Sequence, residues 1–300
     1  MTILVTGANG QVGRELIACG QQAELSLHGI DMADADFTDA AALNRAVEGL
    51  DLTGVVNAAA YTAVDAAESD PDTAFAANVD GPGNLAEICA QRQIPLIHLS
   101  TDYVYDGLKK GAYIESDPVA PQGVYAQSKA RGDAAVAERV DSHIIIRTAW
   151  VYSIHGHNFV KTMLRLFREK RTISVVNDQL GCPTHAADIA ATIVQILLWI
   201  QKNHRIPAGI YHYCSQGSTS WYGFALKVLS LAAPKDNFVV TELQAIPTSA
   251  YPTPAKRPAN SILDCTKIKQ TFGIEPVHWE EGLGHMLTRY YGLRGSKEPF

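Results

Sequence analysis

A short apolar run, Ile3-Leu4-Val5, leads without a break into Thr6-Gly7-Ala8-Asn9-Gly10-Gln11-Val12-Gly13, and few folds accommodate that order. The three glycines stand after a strand and open a helical pattern over Val12–Cys19. Gly7 permits a sharp strand-to-helix turn, and Gly10 lets backbone approach a pyrophosphate. Gly13 lets the helix pack close to the sheet, and the positive end of the helix dipole favours the phosphate charge. A glycine turn that binds nothing is the plain alternative. Its place directly after the first strand makes the binding reading the stronger one.

Strand and helix patterns then alternate. Leu25–Ile30 reads as a strand ending at Asp31, Ala40–Glu48 as a helix, and Gly54-Val55-Val56-Asn57 as a strand. A long helix is expected from Pro71 to Arg92, a strand over Pro95–Ser100, a helix over Gln122–Arg139 and a strand over His143–Arg147. Strands that are apolar without alternation, set between helices, belong to a parallel sheet covered on both faces. The fold class is therefore α/β: a Rossmann-type doubly wound parallel sheet with a smaller, mixed α/β C-terminal substrate lobe. Ligands of such sheets lie at the carboxyl ends of the strands. Asn9, Asp31, Asn57, Ser100, Thr101, Arg147 and Thr148 all fall there.

After about residue 150 the rhythm breaks. Helical patterns at Phe159–Lys170, Ala186–Lys202 and Trp221–Ala232 mix with short strands at Ile173–Val176 and Ile210–Tyr213. A proline-rich stretch over residues 246–258 reads as an ordered loop returning over the site, followed by helices near Cys265–Phe272 and Trp279–Tyr291. Residues 1–150 are expected to form the dinucleotide-binding domain and 151–300 mainly the substrate lobe, with some later segments returning to the first. The tail Gly295–Phe300 is expected to fray.

A chain of 300 residues is long enough for a large core, and it is 47% hydrophobic and only 19% charged. A net charge of −6 without a basic cluster excludes a general nucleic-acid binder. The apolar stretch Ile189–Ile200 carries Gln195 and falls short of the roughly 20 residues a membrane span needs, so it reads as a buried helix. Five scattered cysteines without ligand or redox spacing read as incidental thiols of a reducing compartment. No signal-peptide pattern opens the chain, and a cytoplasmic protein is expected.

Tyr125 and Lys129 are four apart and share one helix face. A free phenol ionises near about pH 10 and is a poor proton carrier at neutrality. A lysine ammonium one turn away stabilises the phenolate and can also bond a nicotinamide ribose. Thr101, at a strand end, offers a hydroxyl to a substrate carbonyl. Tyr-x-x-x-Lys is common by chance, but here it accompanies the glycine turn and Thr101, which favours a reductase site. Asp31 suits the adenosine ribose hydroxyls and disfavours a 2′-phosphate, whereas Arg14 can pair with one, so NADH and NADPH both stay open. The small residues Ala58-Ala59-Ala60 and the pair Asp36-Phe37 suit cofactor contact or plain packing and loop. His155-Gly156-His157 lacks a third ligand and reads as solvated loop. Tyr103-Val104-Tyr105 is packing unless one ring faces a ligand.

The chain resembles the extended short-chain dehydrogenase/reductases and, within them, the dTDP-4-dehydrorhamnose reductase family. The resemblance is carried by residues 7–13, 57–65, 100–105, 125–129, 147–152, 158–163, 177–184 and 251–258. It implies Thr101, Tyr125 and Lys129 as the catalytic set. It implies a dinucleotide against Gly7, Gly10, Gln11, Val12, Gly13, Asp31, Asp36, Phe37, Ala60, Tyr61, Thr62, Tyr125 and Lys129. Substrate contacts would come from Thr101, Asp102 and Trp150, with Val64, Tyr103 and Asn158 beside them. Tyr61 stands where the family commonly has histidine. Some members hold magnesium at a dimer contact through glutamates; Glu15 is present, but Ala187 stands where a second carboxylate is sought, and no metal is assigned. A homodimer is compatible with the resemblance.

The implied activity is NAD(P)H-dependent reduction of the C4 keto group of dTDP-4-dehydrorhamnose to dTDP-L-rhamnose, the last step of that synthesis. A reductase or epimerase of another nucleotide sugar is the nearest rival. A non-catalytic subunit, like the regulatory subunit of methionine adenosyltransferase, is the rival from another class; the matched Thr101, Tyr125 and Lys129 speak against it. The expected partner is a small nucleotide sugar, with neither nucleic acid nor membrane.

Overall fold

The computed structural model describes residues 2–295, with side chains as far as Leu293. Residues 296–300 of the tail expected to fray lie outside the described residues. The first half contains β1 (Thr2–Thr6), α1 (Gln11–Gln22), β2 (Leu27–Ile30), α2 (Ala40–Ala46), β3 (Leu52–Asn57) and α3 (Val64–Ala67). It continues with α4 (Pro71–Phe75), α5 (Gly81–Arg92), β4 (Leu96–Thr101), α6 (Val124–Arg139) and β5 (His143–Thr148). The second half has β6 (Val151–Tyr152), α7 (Phe159–Glu169), β7 (Thr172–Val176), β8 (Leu180–Gly181), β9 (Thr184–His185) and α8 (Ala186–Asn203). Then come β10 (Gly209–His212), β11 (Thr219–Ser220), α9 (Trp221–Ala232), β12 (Glu242–Ile246), α10 (Thr266–Phe272) and α11 (Trp279–Gly295).

Six strands form one parallel sheet in the order β10-β5-β4-β3-β1-β2. Successive residues of each strand enter opposite cores, which is why the strands do not alternate polar with apolar. Val5, Val56, Ile97, Ile144 and Ile146 pack with Leu16 of α1 and Ile189, Ile193 and Ile196 of α8. Leu4, Val55, Leu96 and Ile145 pack on the other face with Leu43 of α2, Leu85 and Ile88 of α5, and Val136 of α6. Two segments beyond residue 150 therefore return to this layer: α8 covers the face beside α1, and β10 extends the sheet at β5. The stretch Ile189–Ile200 is the heart of α8, and no described helix is long and apolar enough to cross a membrane.

The strand order reverses direction at β1, which lies between β2 and β3. Such a switch point opens a crevice at the strand ends, and the glycine turn stands there. The expected single helix over Pro71–Arg92 is instead interrupted by a π-helical turn at Ala76–Asp80. Pro82 has no N–H for the carbonyl of Asn78, and the wider turn absorbs the break. A Cβ on Gly132 of α6 would collide with that carbonyl, so glycine lets the two helices meet there. α2 ends two residues earlier than expected, ahead of Gly49 at φ +73°. β2 starts two residues later, since the N–H of Leu25 bonds back to Gly20 in closing α1.

The second core is built from α7, α9 and α11 around Phe167, Phe224, Leu283 and Met286. Small two-stranded sheets, β12-β7, β11-β8 and β6-β9, connect these helices to the main layer. The cysteines are free, but three of them are not scattered: Cys182, Cys214 and Cys265 share one cluster, with the Cys214 and Cys265 sulfurs 3.8 Å apart.

Candidate active site

The turn after β1 is built as its glycines require. Gly7 sits at φ +70°, and a Cβ there would come within 2.6 Å of the Ala59 nitrogen. A Cβ on Gly13 would strike the Gly7 carbonyl, and one on Gly10 would lie 3.1 Å from it. The turn borders a cleft of about 510 Å³ lined by Gly7, Gly10, Asp31, Asp36, Phe37, the three alanines 58–60 and Tyr61. A bare backbone cradle on a helix N-terminus, beside a cleft, fits a dinucleotide.

Several expected contacts do further work inside the protein. Asp31 accepts the N–H of Asn9 at 2.8 Å and that of Met32 at 2.8 Å, so its carboxylate holds the glycine turn in shape. Arg14 donates to the Asn9 carbonyl on the same turn. Asp36 closes its own turn on Thr38, whose hydrogen bonds hold its carboxyl below the usual range. Phe37 is buried in the core at the cleft wall. The oxygen of the Gln11 side chain accepts from Asn158 at 2.9 Å, and Val12 packs in the core, leaving their backbone to the helix start. Thr62 is exposed and lies outside the cleft lining.

Tyr125 and Lys129 both project from α6 into the interior, with Tyr125 9% and Lys129 2% exposed. Tyr125 packs with Tyr61 and Val64 and meets the Tyr103 ring edge-on at 5.5 Å. Burial raises its phenol above the ordinary range, and a hydrogen bond from the Thr101 side opposes this. The Lys129 ammonium is not bonded to the phenol. It donates to the Leu99 carbonyl at 2.8 Å and approaches His98 at 3.5 Å. Burial pulls it down to about 8, against the charge of Asp133. The direct tuning of Tyr125 by Lys129 expected from their spacing is therefore absent from the geometry; what the lysine touches is the sheet.

Thr101 donates to Asp102 at 2.9 Å and accepts from the N–H of Tyr103 at 3.2 Å, which fixes its hydroxyl beside Tyr125. Asp102 is buried, and desolvation pushes it up to about 6 despite hydrogen bonds from Ser261 and Thr101. It accepts from the Thr101 hydroxyl. Asn158 departs from the expected substrate role: it caps α7 through Lys161 and donates to Gln11 and the Ser153 carbonyl, clamping its loop to the glycine turn.

A second cleft of about 620 Å³ lies over the C-terminal lobe, lined by Phe159, Val176, Gln179, Trp221, Tyr251 and Arg257 among others. Trp150, at φ +48°, stacks on Trp221 with ring centres 3.5 Å apart. A Cβ on Gly181 would strike the Trp150 ring, so glycine seats it. The proline-rich segment reaches this cleft through Tyr251, Thr253 and Arg257, and Arg257 pairs with Asp65 of α3 at 2.7 Å. Tyr61, in the lining of the first cleft, packs against Tyr125, and so does Tyr103, which shares a small pocket with Arg257 of the second cleft's lining.

Glu15 does not offer a metal site. It is 4% exposed, Arg289 of α11 donates to it at 2.5 Å, and His155 lies 3.3 Å from its other oxygen. His155 is thus partly buried against a carboxylate rather than solvated; His157 is exposed. Among the described residues no group of three or more His, Cys, Asp or Glu is arranged to hold a metal ion.

Residue patterns alone missed a buried polar framework. Asn78 in the π turn accepts the N–H of Tyr61 and donates to the Tyr61 carbonyl and to Ser128 of α6. Asp133 pairs with Arg147, which donates to Tyr105, which meets His212 at 2.7 Å. Arg147, His98 and Asn57 interrupt otherwise apolar strands, and that interruption was the available signal.

The sequence pattern of the RmlD substrate binding domain family matches residues 1–291. The dTDP-4-dehydrorhamnose reductase of Burkholderia thailandensis is 43% identical over 297 residues, covering 95% of this chain and 97% of that one. The crystal structure of a dTDP-4-dehydrorhamnose reductase from Clostridium acetobutylicum superposes with a TM-score of 0.89 at 35% identity, covering 96% and 99% of the two chains. The Bacillus anthracis dTDP-4-dehydrorhamnose reductase in complex with NADP superposes with a TM-score of 0.87 at 33% identity, over 96% and 99%.

Proposed function

The chain belongs to the RmlD substrate binding domain family, and from that premise we propose that it is the NAD(P)H-dependent reductase of dTDP-4-dehydrorhamnose, forming dTDP-L-rhamnose. The observation that carries the reading is the glycine turn at a helix start beside a cleft, with a buried Tyr125, hydrogen-bonded to Thr101, packed against Tyr61 of that cleft's lining. NADPH or NADH, when bound, supplies hydride to the sugar C4 carbonyl. The backbone of residues 10–13 receives the pyrophosphate at the start of α1, where a side chain at position 10 or 13 would intrude.

Tyr125 donates the proton that the reduced oxygen needs. Its raised phenol suits an acid, because it stays protonated through the neutral range. Thr101, held by Asp102 and Tyr103, places its oxygen at the reacting group. Lys129 lends positive charge under the site and hydrogen-bonding capacity to the nicotinamide ribose. The stacked Trp150 and Trp221, with Arg257, suit the planar base and negative charge of the nucleotide diphosphate. A cytoplasmic location and a homodimer complete this reading.

The test is turnover of the dTDP-linked 4-keto sugar, following NADH and NADPH oxidation separately, beside UDP- and GDP-linked keto sugars. Preferential turnover of the dTDP compound is expected. Faster turnover of another nucleotide's sugar would replace this reading with its nearest rival.

A further inference from the structure

A row of buried polar side chains crosses the carboxyl ends of three parallel strands and stops at Lys129. Thr6 of β1 is registered with Asn57 of β3, and Asn57 with His98 of β4. The Thr6 hydroxyl donates to Asn57 Oδ1 at 2.7 Å. The N–H of Ala59 donates to the same oxygen at 3.0 Å. A backbone N–H only donates, so this bond fixes which end of the amide is oxygen. Asn57 Nδ2 therefore faces His98 Nδ1, at 3.0 Å. Nδ2 also only donates, so Nδ1 must accept, and the proton of the neutral ring sits on Nε2. His98 is fully buried, and burial with the Lys129 charge holds it well below its ordinary range, which keeps the ring neutral.

On the other side of the ring, Lys129 Nζ lies 3.5 Å from Nε2 and Asp133 Oδ1 3.8 Å from it. The ring offers Lys129 an N–H, not a lone pair. Charged Lys129 then faces the positive end of a dipole, whereas the uncharged amine can accept from it. The groups set against the lysine are the Leu99 carbonyl and His98 of β4 and Asp133 of its own helix. Arg147 of β5 neutralises Asp133 at 3.1 Å and blunts the one carboxylate that would hold the ammonium.

We propose that His98 is a positioning residue for the reduction: pinned by Asn57 in the Nε2–H tautomer, it turns a donor toward Lys129 and so sets the pH at which the lysine loses its charge. The inference rests on the reading of Lys129 as part of the reductase site. It assigns control of that site to a side chain in the sheet, reached through Thr6 and Asn57.

The ring proton is read directly from long-range ¹H–¹⁵N correlations of His98 in the intact protein. Protonated Nε2 with bare Nδ1 is expected throughout about pH 6 to 9; protonated Nδ1 overturns the proposal. The second arm is Asn57→Asp, whose carboxylate accepts from Nδ1 and moves the proton there, turning the Nε2 lone pair to Lys129. The Lys129 ¹³Cε titration, and with it the alkaline limb of kcat/KM, should rise by about one pH unit. In a His98→Phe background the introduced carboxylate acts by charge alone, and less than half of that shift should remain; equal shifts in both backgrounds overturn the proposal. If the parent protein fails to reduce the dTDP sugar, the functional reading falls, while the tautomer and the lysine titration still decide this one.

Discussion

Tyr125 and Asp102 show opposite uses of burial within one site. Both are pushed toward their neutral forms by desolvation. For Tyr125, in the proposed reaction, the neutral form is the working acid. Tyr125→Phe should cost about a hundred- to ten-thousand-fold in kcat with cofactor affinity retained, measured by NADPH oxidation and by cofactor titration. A tyrosine that merely packs would leave kcat nearly intact. For Asp102 the shift is a stability effect. Its folded value of about 6 lies above the unfolded carboxylate, so the protonated form favours the fold and that contribution is lost as pH rises from about 4 to 6. Asp102→Asn should flatten that part of the stability–pH curve, by up to about 3 kcal/mol, in denaturant titrations at both pH values. Residue types in series marked Tyr125, Lys129 and Thr101. They marked Asn57 only as a polar strand end and did not mark His98, because a buried histidine has no spacing of its own.

At the scale of elements, strand and helix order was legible because the central strands β3, β4 and β5 are buried on both faces, while the edge strand β2 is partly exposed. The π turn was not: Pro82 announces a disturbance, but whether a helix kinks or widens depends on what packs against it, here Gly132. The glycine turn was legible as a unit: Gly7 and Gly13 are required because a Cβ would lie 2.6 and 2.1 Å from backbone atoms, while at Gly10 it would lie 3.1 Å from the Gly7 carbonyl. Gly10→Val should weaken cofactor binding by about tenfold or more while leaving the fold intact, checked by fluorescence titration and circular dichroism. Unchanged affinity in the folded variant would remove the turn from the cofactor site. Asp31 lines the cleft and also holds the glycine turn. Because it ties Asn9 and Met32, Asp31→Ala should weaken NADH and NADPH alike by loosening the turn, rather than NADH alone. A loss confined to NADH would restore the ribose role.

Over the whole molecule, two ion pairs join segments far apart in sequence. Arg257 and Asp65 hold the proline-rich segment across the second cleft. Arg257→Ala should raise KM for the dTDP sugar more than it lowers kcat, with cofactor KM unchanged, in steady-state assays. Arg289 and Glu15 join α11 to α1. Arg289 supplies the positive charge that the buried carboxylate needs. Melting temperature and activity should therefore be the same in excess EDTA and in millimolar magnesium; a magnesium-dependent rise in melting temperature would reverse that assignment.

The chain order alone determined the parallel sheet, the crevice at its glycine turn and the placing of Tyr125 and Lys129 on one buried helix face, because these depend on local periodicity, backbone sterics and helix geometry. The return of α8 and β10 to the first layer, the cysteine cluster and the Glu15–Arg289 pair are tertiary facts. So is the passage of side chains from Thr6 through Asn57 and His98 to Lys129. Each joins residues tens to hundreds apart, and their chemistry follows from which atom faces which. Hydrogen-bond direction, unlike hydrophobic periodicity, exists only once the strands are in register.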